Sequence, residues 1–315
     1  MNIRAVDTMD DLHKEQSDWQ KQWQQQWQAI WQKIRANHHH DALTDSTNTQ
    51  LMTALTQGRL DPSRPHLWTA DAQSAGRGQH GRSWVSGVGN VFLSLYVPMS
   101  AAADGFGLHR LSGLLSLSVG LTLSQLPIIN AINDARVRSG LGKVGVKWAN
   151  DVGYYDDTRH LFQKLAGILI EPVYVRRGDK TGLVGVITGI GLNVKSSPLI
   201  KDGLYQATCL QDLCDAAAIA DVPTAHALYQ PMCQAVCQAI QWQNQLNDEH
   251  ARLDFVDVFN QAHILTGKEI KVYARDEMQV VAQAGRCVGI DDQGALLLEN
   301  AGSIERVFAG MIQSA

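Results

Sequence analysis

"AGRGQHGRSW", Ala75 to Trp84, sets glycines at 76, 78 and 81 in the spacing GxGxxG. A dinucleotide-binding loop of that spacing must follow a buried strand and open a helix whose N-terminal N–H groups hold a pyrophosphate. Here the chain continues "RSWVSGVGNVFLSLYV": turn residues, then an apolar, β-branched and aromatic run from Val91 to Val97. Near the position of a ribose-binding acid it offers only Asp104, inside a "SAAADGFG" turn. The stretch therefore predicts a loop feeding a strand, which excludes a dehydrogenase fold. What is left is a glycine-rich loop bearing Arg77, His80 and Arg82, suited to an anionic ligand.

The 315 residues suffice for one large domain and a small one, and 45% hydrophobic content marks a globular chain. No run of eighteen apolar residues occurs, and acids in "MNIRAVDTMDD" stand where a signal peptide needs an apolar core, so a cytoplasmic protein without membrane contact is expected. Five cysteines without a CxxC pair agree with a reducing compartment. A net charge of −4, and five basic against five acidic residues in the first forty, argue against a nucleic-acid surface.

Between 14 and 35, Trp19, Trp23, Trp27 and Trp31 recur every four residues among eight glutamines, a helix with one aromatic face expected to pack on the body. "HHH" at 38 to 40 lacks a further ligand at metal-site spacing and is read as a solvated loop. Beyond it come a short strand, a helix from Thr47 to Gly58, strands in "HLWTADAQ" and "VFLSLYVP", and a buried helix over 107–126. Three strand candidates follow, "VGVKWAND", "KLAGILIEPVYV" and "GLVGVITGIGLNV", with "GYYDDTRHLFQ" as a mobile loop, then helix over 223–260. After His263, short alternating runs broken by "DDQG" and "NAG" carry the rhythm of a small β-barrel. The expected division is an N-terminal Trp/Gln segment (1–40), a main domain (41–263) and the barrel (264–315).

Polar clusters at strand ends are where a scaffold presents its working groups. There are five: "DSTN" (45–48), "QSAGRGQHGRSW" (73–84), "KWAND" (147–151), "KLAG" (164–167) and "GIGLN" (189–193). Taken singly, each is an ordinary cap or turn. In this order, as "STN", "GRGxxGRxW", "KWxND", "KLAGILxE" and "GIGxN", they closely resemble the biotin protein ligases, from about Thr44 to the C-terminus.

The resemblance implies an α+β fold, a central mixed sheet flanked by helices and followed by an SH3-like barrel. It also implies a two-step reaction. Biotin and MgATP give biotinyl-5'-AMP and pyrophosphate, then a lysine of the biotin carboxyl carrier domain of acetyl-CoA carboxylase takes the biotinyl group. It assigns Ser46, Thr47, Asn48, Gln73, Gly76, Arg77, Gly78, Gln79, Lys164 and Gly167 to biotin, and Arg77, Arg82, Trp84, Asn150 and Asn193 to ATP. Arg77, Lys164 and Asp151 become the catalytic residues, with Asp151 either holding Mg2+ or orienting Lys164.

The residue types suit that reaction. Joining a carboxylate to a phosphate brings two anions together, so cations and N–H donors come first. Arg77, Arg82 and Lys164 supply the charge, each charge-assisted hydrogen bond being worth about 1.5–3 kcal/mol. The uncharged side chains of the "STN" segment and Gln73 both donate and accept, as a ureido ring requires. Ser46 also stands where a helix N-cap is expected, and Arg82 could instead pair with Asp71.

The chain departs from the family pattern at Gln79 and His80, where a basic residue is usual. Gln79 donates without charge, so biotinyl-AMP is expected to escape faster from the parent than from Gln79→Arg. Equal release rates in a single-turnover chase would contradict this.

Only 45 residues precede Ser46, against about 55–65 for an independent DNA-binding module. A ligase without specific DNA binding is therefore expected, as a monomer or a homodimer joined at sheet edges. Its rivals are a lipoate-type ligase and a non-catalytic, biotin-responsive regulator.

Overall fold

The structure, a computed structural model, describes residues 26–85, 87–100, 106–200, 205–273 and 280–314. Helix α1 (26–36) buries Trp27, Ile30 and Ile34, with Trp31 packed beside them, in the main core. The aromatic face thus packs on the body, as its four-residue spacing requires. Trp19 and Trp23 lie outside the described residues.

The main sheet has the order β1-β2-β3-β7-β6-β5-β4. Its strands are β1 (His38–Asp41), β2 (His66–Ala70), β3 (Val91–Pro98), β4 (Gly145–Lys147), β5 (Asp151–Asp156), β6 (Leu161–Arg177) and β7 (Lys180–Leu192). The short β8 (Tyr205–Ala207) pairs with the start of β6. β1–β2 and β6–β8 are parallel and the other pairs antiparallel, so the sheet is mixed.

The period-two alternation of strands decides which layer each side chain enters. On β3, Leu93, Leu95 and Val97 enter the core that holds α1, α3 (Leu114–Ser124) and α6 (Ala225–Gln245), whereas Tyr96 packs with Leu51 and Leu55 of α2 (Thr47–Thr56) in a separate cluster. Ser94 shares the α2 side and meets Thr47 and Asn48. That second side carries the site.

Four expectations change. "HHH" is the edge strand β1, held by parallel pairing to β2, rather than a solvated loop. The helix read over 107–126 starts at Leu114, and α4 (Pro127–Arg138) follows it, Pro127 occupying a first-turn position that needs no N–H. "GYYDDTRHLFQ" is no loop: β5 and β6 form a hairpin through it, with Tyr155 and Phe162 buried and facing each other. The helix over 223–260 divides into α6 and α7 (Glu249–Ala262), the Asp248 carboxylate capping the second at the N–H of Ala251.

The C-terminal unit is an antiparallel sheet of five strands in the order β12-β11-β10-β9-β13. These are β9 (Glu269–Tyr273), β10 (Val281–Ile290), β11 (Leu296–Asn300), β12 (Ser303–Val307) and β13 (Met311–Ser314). Its apolar residues share a core with Trp148, Phe255 and Phe259, so it is fused to the main domain. No single described helix is long and apolar enough to cross a membrane.

Candidate active site

The glycine loop closes on itself. Trp84 N–H donates to Gly76 O (2.9 Å), Arg77 bridges Ser83, and Gly78 N–H donates to Arg82 O (2.7 Å). The tip turns through left-handed backbone at His80 (φ 56°) and Gly81 (φ 72°). GxGxxG here builds a pinched hairpin, and the N–H groups of Gly78 and Trp84 are spent inside it instead of facing a ligand. Gly76 is required by close approach, because a Cβ there would lie 2.4 Å from Trp84 O.

Under this hairpin lies a first cleft lined by Ser46, Thr47, Asn48, Gln73, Arg77, Trp84, Gly167, Gly189 and Gly191, among others. Its polar wall is one continuous chain. The Gln73 amide oxygen accepts from Thr47 N–H (2.7 Å) and lies 3.2 Å from its hydroxyl. The Ser94 hydroxyl sits 2.7 Å from Thr47 Oγ1 and 2.5 Å from Asn48 Oδ1. Asn48 Nδ2 donates to Glu171 (2.9 Å), and Arg77 grips the same carboxylate with two nitrogens, at 2.7 and 3.1 Å. Hydrogen bonds joined in series in this way hold their members in one geometry. Ser46 lines the cleft without capping α2; Gln73 takes that role.

The floor consists of glycines because side chains from above occupy their Cβ positions. A Cβ at Gly189 would fall 2.1 Å from Asn48 Oδ1, and one at Gly191 2.3 Å from Trp84 Cε2. The Trp84 ring therefore lies against Gly167 and Gly191 of the sheet, its indole N–H buried and without an acceptor among the described residues. Such a donor is costly unless a ligand satisfies it.

A second, larger cleft is lined by Gln79, His80, Arg82, Lys147, Asn150, Asp151, Tyr205 and, from the C-terminal unit, Phe308 to Ile312. Lys164 sits between the two. Its Nζ is 2.8 Å from Asp151 Oδ1, 5.4 Å from the Trp84 ring centre and 5.2 Å from that of Tyr205. One ammonium thus lies against walls of both clefts, paired with the Asp151 carboxylate. Asp151 is the one carboxylate among the named lining residues of the second cleft, and Lys164 meets one of its oxygens; a single carboxylate together with substrate phosphates is a usual Mg2+ environment.

The other assigned residues are spread over both clefts and the strands behind them. Gln79 lines the second cleft, away from the biotin positions, because the hairpin tip carries it past the first. Trp84 lines the first cleft. Asn193 lines neither: it is buried and ties the end of β7 to Leu165 and Thr208. Asn150 borders the second cleft, but its amide holds Ile168 O. Gly76 and Gly78 form the hairpin stem. Arg82 lies beside the second cleft and makes no ion pair with Asp71, which meets His40 instead.

Sequence reasoning missed Glu171, Ser94 and the contribution of Phe308 to Ile312. Glu171 was legible as the final residue of "KLAGILxE"; Ser94, inside an apolar strand, carried only the signal of a lone polar residue.

Beneath the second cleft, burial pushes the Lys147 ammonium down to about 8, and Lys164 and Arg82 add to the shift while Asp151 opposes it. Unfolded, it holds its proton to about pH 10.4. Burying the charged form weakens the fold at and below neutral pH, and that cost fades as pH rises from about 8 to 10.4. Lys147→Met should therefore be stabilised over the parent at about pH 7, with the gap in Tm shrinking by about pH 10. A gap that stays constant would contradict this account.

A cationic hairpin lies over two adjoining clefts, one narrow and polar-walled and one larger, an arrangement able to hold two ligands side by side. Residues 41–193 match the Biotin/lipoate A/B protein ligase family, and residues 266–313 match the Biotin protein ligase C terminal domain. The chain is 30% identical to the biotin--[acetyl-CoA-carboxylase] ligase of Mycobacterium tuberculosis, over 85% of each chain. It is equally 30% identical to the bifunctional ligase/repressor BirA of Escherichia coli, over 85% of this chain and 71% of that one. The biotin protein ligase of Aquifex aeolicus, solved with biotin and ATP, superposes with a TM-score of 0.59 at 19% identity, covering 89% of this chain and 99% of that one, and so shares the fold. The chain belongs to the biotin protein ligase family.

Proposed function

We propose that this chain joins biotin to ATP, giving biotinyl-5'-AMP and pyrophosphate, and then passes the biotinyl group to a lysine of a biotin carboxyl carrier domain. The observation that carries this reading is Lys164, whose ammonium is held between Asp151 and Tyr205 of the second cleft and Trp84 of the first.

Biotin enters the first cleft, where Ser46, Thr47, Asn48 and Gln73 offer donors and acceptors to its ureido ring and the Trp84 indole N–H finds its acceptor. Its carboxylate then points along Arg77 to Lys164. ATP occupies the second cleft, with Arg82 and Lys147 toward its phosphates and the Phe308 to Ile312 segment as the outer wall. A carboxylate oxygen attacks the α-phosphorus, the bond to the β-phosphate bridging oxygen breaks, and pyrophosphate leaves. Lys164 neutralises charge on the oxygens between the two reactants. Mg2+ enters with ATP, and no step relies on a protein ligand for it.

In the second step the carrier lysine, arriving as an ammonium, gives one proton to solvent; its amine attacks the acyl carbon, the bond to the phosphate oxygen of AMP breaks, AMP departs, and the nitrogen's second proton passes to solvent. Asp151, already half of an ion pair, is placed to receive hydrogen bonds from that incoming ammonium.

Radiolabelled biotin and lipoate, each offered with ATP and its carrier domain, test the substrate. Transfer of biotin alone supports the reading; transfer of lipoate alone, or of neither, overturns it. The reading includes no specific DNA recognition, which a sequence-specific, salt-resistant gel shift would contradict.

A further inference from the structure

On the edge of the sheet remote from both clefts' glycine floor, the fold assembles a group that the sequence alone leaves scattered. His40 on β1, Asp71 just beyond β2 and His226 in the first turn of α6 bring their ligand atoms within 4.8 Å of one another. We propose that these three side chains form a divalent transition-metal site of the Zn2+ type, which fastens the edge strand β1 to α6.

The donor chemistry fits such an ion. Two imidazoles and one carboxylate are a borderline set that suits Zn2+ and leaves its remaining positions to water. His40 is already oriented for ligation. Its Nδ1 lies 2.9 Å from Thr69 Oγ1, which also meets His38 Nε2 at 2.8 Å, and its Nε2 turns outward, 3.5 Å from Asp71 Oδ1; with the Nδ1 proton given to Thr69, Nε2 is the ligating nitrogen. A hydrogen bond to the non-ligating nitrogen is the usual support of a metal-bound histidine.

His226 stands across from it, with the two rings 5.5 Å apart. A tetrahedral Zn2+ needs donors about 3.3–3.4 Å apart, from Zn–N distances of about 2.0–2.1 Å. Closing the gap takes side-chain rotation, which the exposure of all three residues allows. The neighbouring His39 points to the opposite side of β1, stacked on Trp68 at 4.8 Å, and takes no part.

The test is a Zn2+ titration of the full chain against a chromophoric chelator, with Tm followed in parallel. The parent should bind one Zn2+ and gain Tm with it. His40→Ala and His226→Ala should each lose at least about tenfold in affinity, together with the Tm gain, by the scale on which even outer partners of a ligand act. His39→Ala should behave as the parent. All three residues are exposed or half-exposed, so the metal-free Tm reports whether each variant is folded. Parental affinity in His226→Ala, or equal losses in His39→Ala and His226→Ala, would show a surface histidine run only and overturn the site. Neither result depends on ligase activity.

Discussion

Lys164→Ala should lower biotin-dependent ATP–pyrophosphate exchange by about 10²–10³-fold, the usual cost of removing one preorganised group from where charge develops. The size follows from position. Its side chain is largely shielded from solvent, pinned at 2.8 Å by Asp151 and flanked by two rings, so no water or neighbouring cation can substitute without rearrangement. Removing it also leaves the Asp151 carboxylate beside two anionic reactants. Lys164→Ala/Asp151→Ala should for that reason lose less than the product of the two single losses. Biotin affinity should change far less than exchange, because the polar wall of the first cleft remains. An equal fall in both would place Lys164 in ground-state binding instead.

Gly191→Ala should weaken biotin binding by about 5–160-fold, the equivalent of the roughly 1–3 kcal/mol that overpacking a filled site costs. The added Cβ would meet Trp84 Cε2 at 2.3 Å and Nε1 at 2.5 Å, so the indole must leave the floor of the first cleft. The backbone itself does not forbid alanine, since Gly191 is not among the glycines with left-handed φ. Gly182→Ala, on the same strand with nothing within 4 Å of the new Cβ, is the matched control and should bind as the parent. Calorimetry reads both; parental affinity in Gly191→Ala would mean that Trp84 does not define the cleft.

Much of the site was legible because its chemistry is concentrated in short strand-end motifs. "GRGxxGRxW" and "KLAG" gave Arg77, Lys164 and the rejection of a dinucleotide loop, since a missing helix is visible in one dimension. What stayed hidden depends on pairing. Glu171 acquires meaning only when β6 alternation sets it on the α2 side, under Asn48 and Arg77. Asn193 carries the motif and yet lines no cleft, because the end of β7 turns it inward. "HHH" read as solvated for the same reason: neither its strand partner nor His226 is near it in sequence. The hairpin "GYYDDTRHLFQ" was misjudged from its polar tip, although Tyr155 and Phe162 on either side are what bury it.

The central claim is that two clefts share one reacting centre, and the most direct measurement is exchange of labelled pyrophosphate into ATP by the parent chain with and without biotin. The account predicts exchange only when biotin is present. Exchange that ignores biotin, or none with it, would contradict the account.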